Sequence, residues 1–432
     1  MAKVINTDNS VQTSFWMDIK TGFQKSFWVA NIMELFERLA YYGQAVILSI
    51  YLRDHLHFGE TDAGWLQSAF GFLIYGLPIF AGAIADKIGF KKAFSIAFFV
   101  LSIGYFMIGA SGIPFFAPFF NMFGLWHSML IVLVFTAMGG SFIKPSVLGT
   151  VALSSTPKTK SFGYAIYYWL VNIGGAVGPL IAFFTRQQLG IEKVYLISSL
   201  SCGLMFISTL VFYKNPVTKD NQPSASVLQI AKNLYEVVTN TPFMLFLLIF
   251  SIYWLMFWQI FVIVPYYLKD HISKDAPFEL IESVGTWGII ALQLFINLAT
   301  RKMKSIFAII LGFFISTCSW LIILSHPTIP LFIAGIVMFS VGEQTQAPRF
   351  YEYIADLAPR GKEAMYQGFA FLPIAIGWGF GGILGGKLYE QFGKSDHPST
   401  VFLILFAVGM IGTILLALHN RYYTAKLKKS AI

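Results

Sequence analysis

The stretch MELFERLAYYG, Met33 to Gly43, carries Glu34, Glu37 and Arg38 inside an apolar run from about Phe27 to Leu52. On a helix, positions 34, 37, 38, 41, 42 and 45 share one face, so Glu34, Glu37, Arg38, Tyr41 and Tyr42 form a single polar stripe. A charge at the centre of a bilayer costs about 2.5–3.5 kcal/mol even on lenient insertion scales, so the stripe must face a bundle interior. Glu34 and Arg38, at i and i+4, are spaced to pair. Two more charges lie deep in apolar sequence: Lys144 in GGSFIKPS and Glu343 in SVGEQTQAP. Arg349 lies nearer the end of its run and reads either as a gate partner or as a snorkelling side chain. A carboxylate beside a cation stays ionised, whereas one left alone out of water takes up a proton, so such a set can relay protons as partners change. No histidine falls in the middle of a span, which leaves carboxylates as the carriers. The competing reading is a staple that only holds helices together. Buried ion pairs stabilise poorly compared with apolar packing, which favours the relay.

The elements that must position these groups are hydrophobic helices. The chain of 432 residues is 56% hydrophobic and 12% charged, with 44 phenylalanines; soluble domains are nearer ~25% charged. Apolar runs fall near 27–52, 62–85, 93–112, 128–153, 162–185, 194–213, 242–268, 280–300, 305–325, 329–356, 364–388 and 400–420. Each approaches the ~20 residues a spanning helix needs. The expected fold class is an all-α membrane protein of 12 transmembrane helices in two six-helix bundles, 27–213 and 241–422. A leader (1–26), a linker (214–240) and a basic tail (423–432) are expected in the cytoplasm. The segment 13–26, with aromatics among lysines, reads either as a helix lying on the membrane or as a disordered leader. No signal peptide is expected at the N-terminus, because the first apolar run is not followed by a small-residue cleavage pattern.

Loop charge sets the orientation. With the N-terminus inside, inner segments hold 20 Lys and Arg, outer loops hold 7, and Arg38, Lys144 and Arg349 complete the 30. That is a positive-inside bias, with both termini cytoplasmic in the cell inner (plasma) membrane. The net charge of +9 is then a matter of topology, and no nucleic-acid partner is implied. The two cysteines, Cys202 and Cys318, lie mid-span and read as packing residues.

The halves also repeat. STPKTKSFGY, ending at Tyr164, aligns with LAPRGKEAMY, ending at Tyr366, at an offset of 202. Pro145 and Pro348 are offset by 203, as are Gly174 with Gly377 and Gly178 with Gly381. Parallel six-helix repeats of this kind are those of major facilitator transporters, with the substrate between the halves. GAIADKIGFKK, Gly82 to Lys92, resembles the major facilitator loop motif. Asp86, Lys87, Lys91 and Lys92 would be a latch at the inner face; the alternative is an ordinary positive-inside loop.

Glu34-Leu-Phe-Glu37-Arg38-Leu-Ala-Tyr41-Tyr42-Gly43 resembles the Glu-x-x-Glu-Arg-Phe-x-Tyr-Tyr-Gly signature of the proton-dependent oligopeptide transporters, with Leu39 in place of Phe. YAIYYWLVNIGG (Tyr164–Gly175) is similar to that family's span-five motif, Lys144-Pro145 to its span-four lysine, and Glu343 with Pro348 to its span-ten glutamate. The resemblance implies a proton-coupled symporter of di- or tripeptides, or a related small zwitterion, working by alternating access. Glu34, Glu37, Arg38, Lys144 and Glu343 would then couple protons. Lys144 would also hold a substrate carboxylate, and Asn172 and Glu343 its amino group. Tyr41, Tyr42, Tyr168, Trp254 and Gln259 would contribute to the pocket, and Arg349 would join the gate. Three differences stand out, the first being that many bacterial members insert two extra helices between the halves, for which 214–240 is too short. Ala45 occupies a position where peptide carriers usually have arginine, and span seven has no acidic residue between Thr241 and Leu268. The alternatives keep the fold and change the cargo to another organic anion or metabolite, or make the protein a drug/proton antiporter; aromatics such as Trp254, Trp258, Trp169 and Trp378 would then line the pocket. A non-transporting sensor or scaffold is a further alternative. The sequence carries no metal cluster, nucleophile elbow or phosphate loop, so neither an enzyme nor a cofactor is expected. The expected partners are a small-molecule substrate, protons and the lipid bilayer, and the expected functional unit is a monomer.

Overall fold

A computed structural model describes residues 21–217, 232, 235–359 and 362–430. The leader before Thr21, most of the linker and the last two residues, on which parts of the expected domain division fall, lie outside the described residues. Among the described residues the chain is helical throughout, with one isolated β-bridge, Phe23 to Ser155. In hydrocarbon a backbone must satisfy its own hydrogen bonds, and long apolar segments do so as helices.

The spans are, in order, Lys25–Ile50, Glu60–Gly76 with Pro78–Ile88, Phe90–Ser111, Leu125–Ser154, Lys160–Leu189, Ile191–Phe212, Thr241–Ile272, Phe278–Thr300, Ser305–Ser325, Ile329–Leu357, Met365–Gly393 and Thr400–Ser430. Among the described residues, nine are long and apolar enough to cross a membrane outright, and span two makes a tenth as a pair bent by 46°. The bend falls where Pro78 withholds a backbone N–H. The remaining two, spans one and ten, are the helices that carry Glu34, Glu37 and Arg38, and Glu343 and Arg349. Helix twelve runs past the expected boundary near 422, because RYYTAKLKKS contains neither Gly nor Pro to stop it. Gly190, at φ 104°, lets span six begin directly after span five ends.

Packing reproduces the internal repeat. Span five crosses span one so closely that a Cβ on Gly174 would lie 2.3 Å from the Cβ of Arg38. Span eleven crosses span seven in the same manner, where a Cβ on Gly377 would lie 2.4 Å from the Cβ of Trp254. The glycines aligned by the 203-residue offset therefore do the same job in each half.

Spans two and eleven join the halves. A Cβ on Gly64 would lie 2.3 Å from the carbonyl oxygen of Gly382, and one on Gly71 would lie 2.1 Å from the Trp378 ring. Trp378 stacks on Trp258 with ring centroids 3.6 Å apart. Gly64→Val is expected to force the two spans apart and lower the melting temperature in detergent, by a cost of about 1–3 kcal/mol for overpacking. Gly59→Val is the control, since a Cβ there meets nothing within 4 Å. Equal melting curves for the two variants would contradict this account of the crossing.

Candidate functional site

Between the halves lies a cavity of about 260 Å³. Tyr41, Tyr42 and Ala45 reach it from span one, Lys144 from span four, and Tyr168 and Asn172 from span five. The second half contributes Trp254, Phe257 and Trp258 from span seven, Glu282 and Ser283 from span eight, and Glu343 and Gln346 from span ten. Lys144 and Glu343, from equivalent spans, thus face one space from opposite halves. The Lys144 ammonium rests 4.7 Å from the Tyr75 ring centroid and 5.0 Å from that of Phe371, a cation–π seat. Among the described residues no carboxylate lies within ion-pair distance of it. Tyr41 is buried, and its hydroxyl donates to that of Tyr75 at 3.2 Å. The Asn172 amide donates to the Tyr168 carbonyl at 2.9 Å, which sets its orientation at the cavity wall.

The span-one charges form a closed unit beside this cavity. Arg38 Nε lies 3.2 Å from Glu34, and its Nη2 lies 2.5 Å from Glu37. All three are buried. Only Arg38 reaches the small crevice that Tyr41, Tyr75 and Lys144 also line, so the triad borders the cavity and does not form its wall.

Other expected site residues sit elsewhere. Gln259 does not line the cavity: it is fully buried, and its amide donates to the carbonyls of Leu255 at 2.8 Å and Gly381 at 2.9 Å, bracing span seven against span eleven. Of the tryptophans named as possible liners, Trp378 is buried in the crossing with span two, and Trp169 is exposed away from the cavity. Arg349 bonds Glu352 one turn along the same helix at 2.7 Å and the Thr300 carbonyl at 3.3 Å, so it braces spans eight and ten. In the expected inner latch, Asp86, Lys87 and Lys92 are exposed, while Lys91 donates to the Leu210 carbonyl at 2.9 Å within its own half.

The face that loop charge leads one to expect as the outer one is where the halves are bolted. Arg53, just past span one, grips Asp270 at the end of span seven through two nitrogens, at 2.7 and 2.9 Å. Lys269 pairs in turn with Asp54, so the two contacts are reciprocal across the halves. Lys394 reaches Glu60 at 2.7 Å, Glu390 accepts from Thr61, and Arg186 on span five pairs with Glu279 on span eight. Tyr389 donates to Asp270 at 2.8 Å. The pairs between described residues at the opposite face, Arg349–Glu352 on span ten and Lys362 with Glu236 of the linker, do not join the two halves. Ion pairs between the halves therefore close the cavity at that face.

Sequence reasoning passed over these bolts by counting Arg53 and Lys269 only as loop charge. A signal was present: Tyr51-Leu-Arg-Asp-His55 and Tyr267-Leu-Lys-Asp-His271 are one motif repeated, in places related by an offset of 216. Glu282 was also missed, because it sits one turn into span eight and reads there as a helix-start carboxylate.

A family model described as the Major Facilitator Superfamily matches residues 31–278 and 271–431. The chain belongs to the Major Facilitator Superfamily. Among curated facilitators, the dipeptide and tripeptide permease A of Serratia proteamaculans (strain 568) is 27% identical over 218 residues, which cover 50% of this chain and 41% of that protein. The dipeptide and tripeptide permease B of Aliivibrio fischeri (strain MJ11) is 30% identical over 192 residues, covering 44% of this chain and 36% of that protein. The chain thus spans less than half the length of these relatives. Among solved structures, a POT family transporter in complex with 5-aminolevulinic acid superposes with a TM-score of 0.73 at 18% identity, covering 94% of this chain and 97% of that one. The nucleoside transporter NupG superposes with a TM-score of 0.73 at 16% identity, covering 92% of this chain and 100% of that one. These superpositions establish the facilitator fold; this facilitator is a multi-pass membrane protein of a transporter superfamily.

The outer bolts of this facilitator have a pH signature. Burial opposes ionisation of Asp54, but hydrogen bonds from Arg53 and Lys269 outweigh it and hold the carboxyl below the usual aspartate range. A carboxyl with a lowered value stabilises the bolted state at pH above its ordinary value, and that contribution is lost as pH falls through the lowered one. Outer closure, read as protection of a single cysteine placed in the cavity from an impermeant thiol reagent added outside, is expected to persist as pH drops to about 3.9, the ordinary aspartate value. Arg53→Asp is expected to remove that protection, and Arg53→Asp with Asp270→Arg to restore it. Failure of the double variant to recover protection would argue against a direct bolt.

Proposed function

We propose that this chain is a proton-coupled symporter of di- or tripeptides, or of a related small zwitterion. The observation that carries the reading is the pairing of Lys144 and Glu343, opposite in sign and drawn from equivalent spans, across one cavity between the halves. A zwitterion has a carboxylate for the first and an ammonium for the second. The peptide permeases among the relatives and the ligand-bound POT structure support this choice of cargo. Tyr41, Tyr42, Tyr168, Asn172 and Trp254 would shape the rest of the site.

Proton coupling falls to span one and to Glu343. Arg38 holds both Glu34 and Glu37, and a shift of the guanidinium away from either carboxylate as the halves rock would leave that group unpaired and out of water, where it binds a proton. The outer bolts would open to admit solute and proton and close to yield the state described above. The Asp86 loop, without an ion-pair partner here among the described residues, would engage when the inner side shuts. Each charge moved through 100 mV contributes about 2.3 kcal/mol, enough for tens-fold accumulation. On this reading the chain acts as a monomer in the cell inner membrane with both termini cytoplasmic, catalyses no covalent chemistry and needs no cofactor.

A second cargo class has support in the wall itself. Ala45 faces the cavity with a methyl group, and Trp254, Phe257, Trp258, Phe339 and Phe371 make the space strongly aromatic. An apolar organic anion or a drug exchanged against protons would suit those walls. The direction of proton flow separates the two: symport acidifies the compartment that gains solute, and antiport makes it alkaline.

In liposomes, an inward proton gradient is expected to drive accumulation of labelled dipeptide. Glu37→Gln is expected to abolish that accumulation and to spare counterflow exchange. No uptake across a broad panel of di- and tripeptides would reject the peptide reading, and loss of both activities in Glu37→Gln would favour a structural role for the triad. Lys144→Ala is expected to weaken uptake of peptides with a free C-terminal carboxylate at least tenfold, and to affect C-terminally amidated analogues much less.

A further inference from the structure

Glu282 has no part in the mechanism above, yet among the described residues it is a buried carboxyl group with neither an ion pair nor a hydrogen bond to its oxygens. It lies one turn into span eight, 5% exposed, at the outer end of the cavity wall. Both of its oxygens are sealed from solvent and neither has a hydrogen-bond partner. Glu34 and Glu37, by contrast, are tied to Arg38, and Glu343 is only partly buried.

The helices packed against span eight are spans one, five, seven and ten. Span one brings Glu34, Glu37, Arg38, Tyr41 and Tyr42, with Lys25 at its inner end. Span five brings Arg186, Tyr164, Tyr167 and Tyr168, with Lys160 at its inner end. Span seven brings Tyr253, Tyr266 and Tyr267, with Lys269, Asp270 and His271 at its outer end, and span ten brings Glu343, Arg349, Glu352, Tyr351, Tyr353 and Asp356. Of the cations on these helices, Arg186 is engaged by Glu279, Arg38 by the span-one carboxylates, Arg349 by Glu352 and Lys269 by Asp54, while Lys144, on span four in the same cavity wall, rests on the Tyr75 and Phe371 rings. Glu279, one turn before Glu282, thus holds the arginine that would otherwise be in reach. An ionised carboxylate with both oxygens out of water and no donor is a large penalty, whereas the neutral acid carries little.

The geometry points to Glu282 as a proton-binding station on span eight, shut behind the Arg186–Glu279 bolt. Arg186 and Glu279 belong to opposite halves, so opening the outer face must part them and expose the turn that holds Glu282. Its carboxylate then takes one proton from the outer solution. Reclosure seals the resulting acid out of water, the state described here, and its O–H proton leaves when the side chain turns into the cavity whose wall it forms. The inference rests on the proton-coupled reading, and it adds a carrier at the outer end of the solute path, away from the span-one triad.

The test uses the full chain in liposomes with dialanine as probe and a pH dye inside. Glu282→Gln is expected to lower the number of protons moved per dialanine and to cut gradient-driven accumulation at least tenfold; Glu282→Asp is expected to restore coupling. Unchanged proton movement per dialanine in Glu282→Gln overturns the inference while leaving the symport reading intact. Infrared difference spectra give a readout independent of cargo: at neutral pH the wild type is expected to show a protonated-carboxyl C=O band that Glu282→Gln lacks and Glu282→Asp shifts. A spectrum unaltered in both variants overturns the station even where wild type fails to carry dialanine. Loss of the band together with no dialanine uptake by wild type upholds the station and removes the peptide reading instead. If Glu282→Gln does not fold, Glu282→Asp decides: an unshifted band and an unshifted pH dependence of uptake overturn the proposal.

Discussion

An ion in hydrocarbon must find a counter-ion, a hydrogen-bond donor or water, and the placement of charge here follows from that requirement. The span-one carboxylates meet it with Arg38 from the same helix. Lys144 meets it with two aromatic faces and the opening of a cavity. The charges at the outer ends meet it with partners from the opposite half, and this converts an electrostatic necessity into the contact that closes the molecule on that side.

Close helix crossings give those charges their positions. Gly174 and Gly178 let span five lie against the backbone of span one, so that Asn172 and Tyr168 line the same cavity as Tyr42. Gly64 and Gly382 do the same for the boundary between halves. Backbone approach of this kind fixes the register of each crossing, because an added Cβ would meet the partner backbone.

Much of this was legible in residue types. Hydrophobic run lengths predict the spans, since membrane thickness fixes helix length. The stripe of Glu34, Glu37 and Arg38 and the repeat at Gly174 and Gly377 could be read because helical spacing and small-residue packing act locally. Gln259 misled, because a polar side chain in an apolar helix can satisfy itself on backbone carbonyls and need not face water. Trp378 misled because an aromatic ring fits a glycine crossing as well as it fits a pocket. Glu282 and the Arg53–Asp270 bolt escaped notice because their meaning depends on which residues from distant segments stand opposite, and one helix does not encode that.

The repeated Tyr-Leu-basic-Asp-His motif has a wider consequence. Its basic and acidic members pair crosswise, Arg53 with Asp270 and Lys269 with Asp54, around a pseudo-two-fold axis. Such an arrangement is self-complementary: a single six-helix unit bearing the motif would meet an identical copy of itself through the same two pairs, as isologous dimers do. One short segment, copied once, therefore supplies both sides of its own closure.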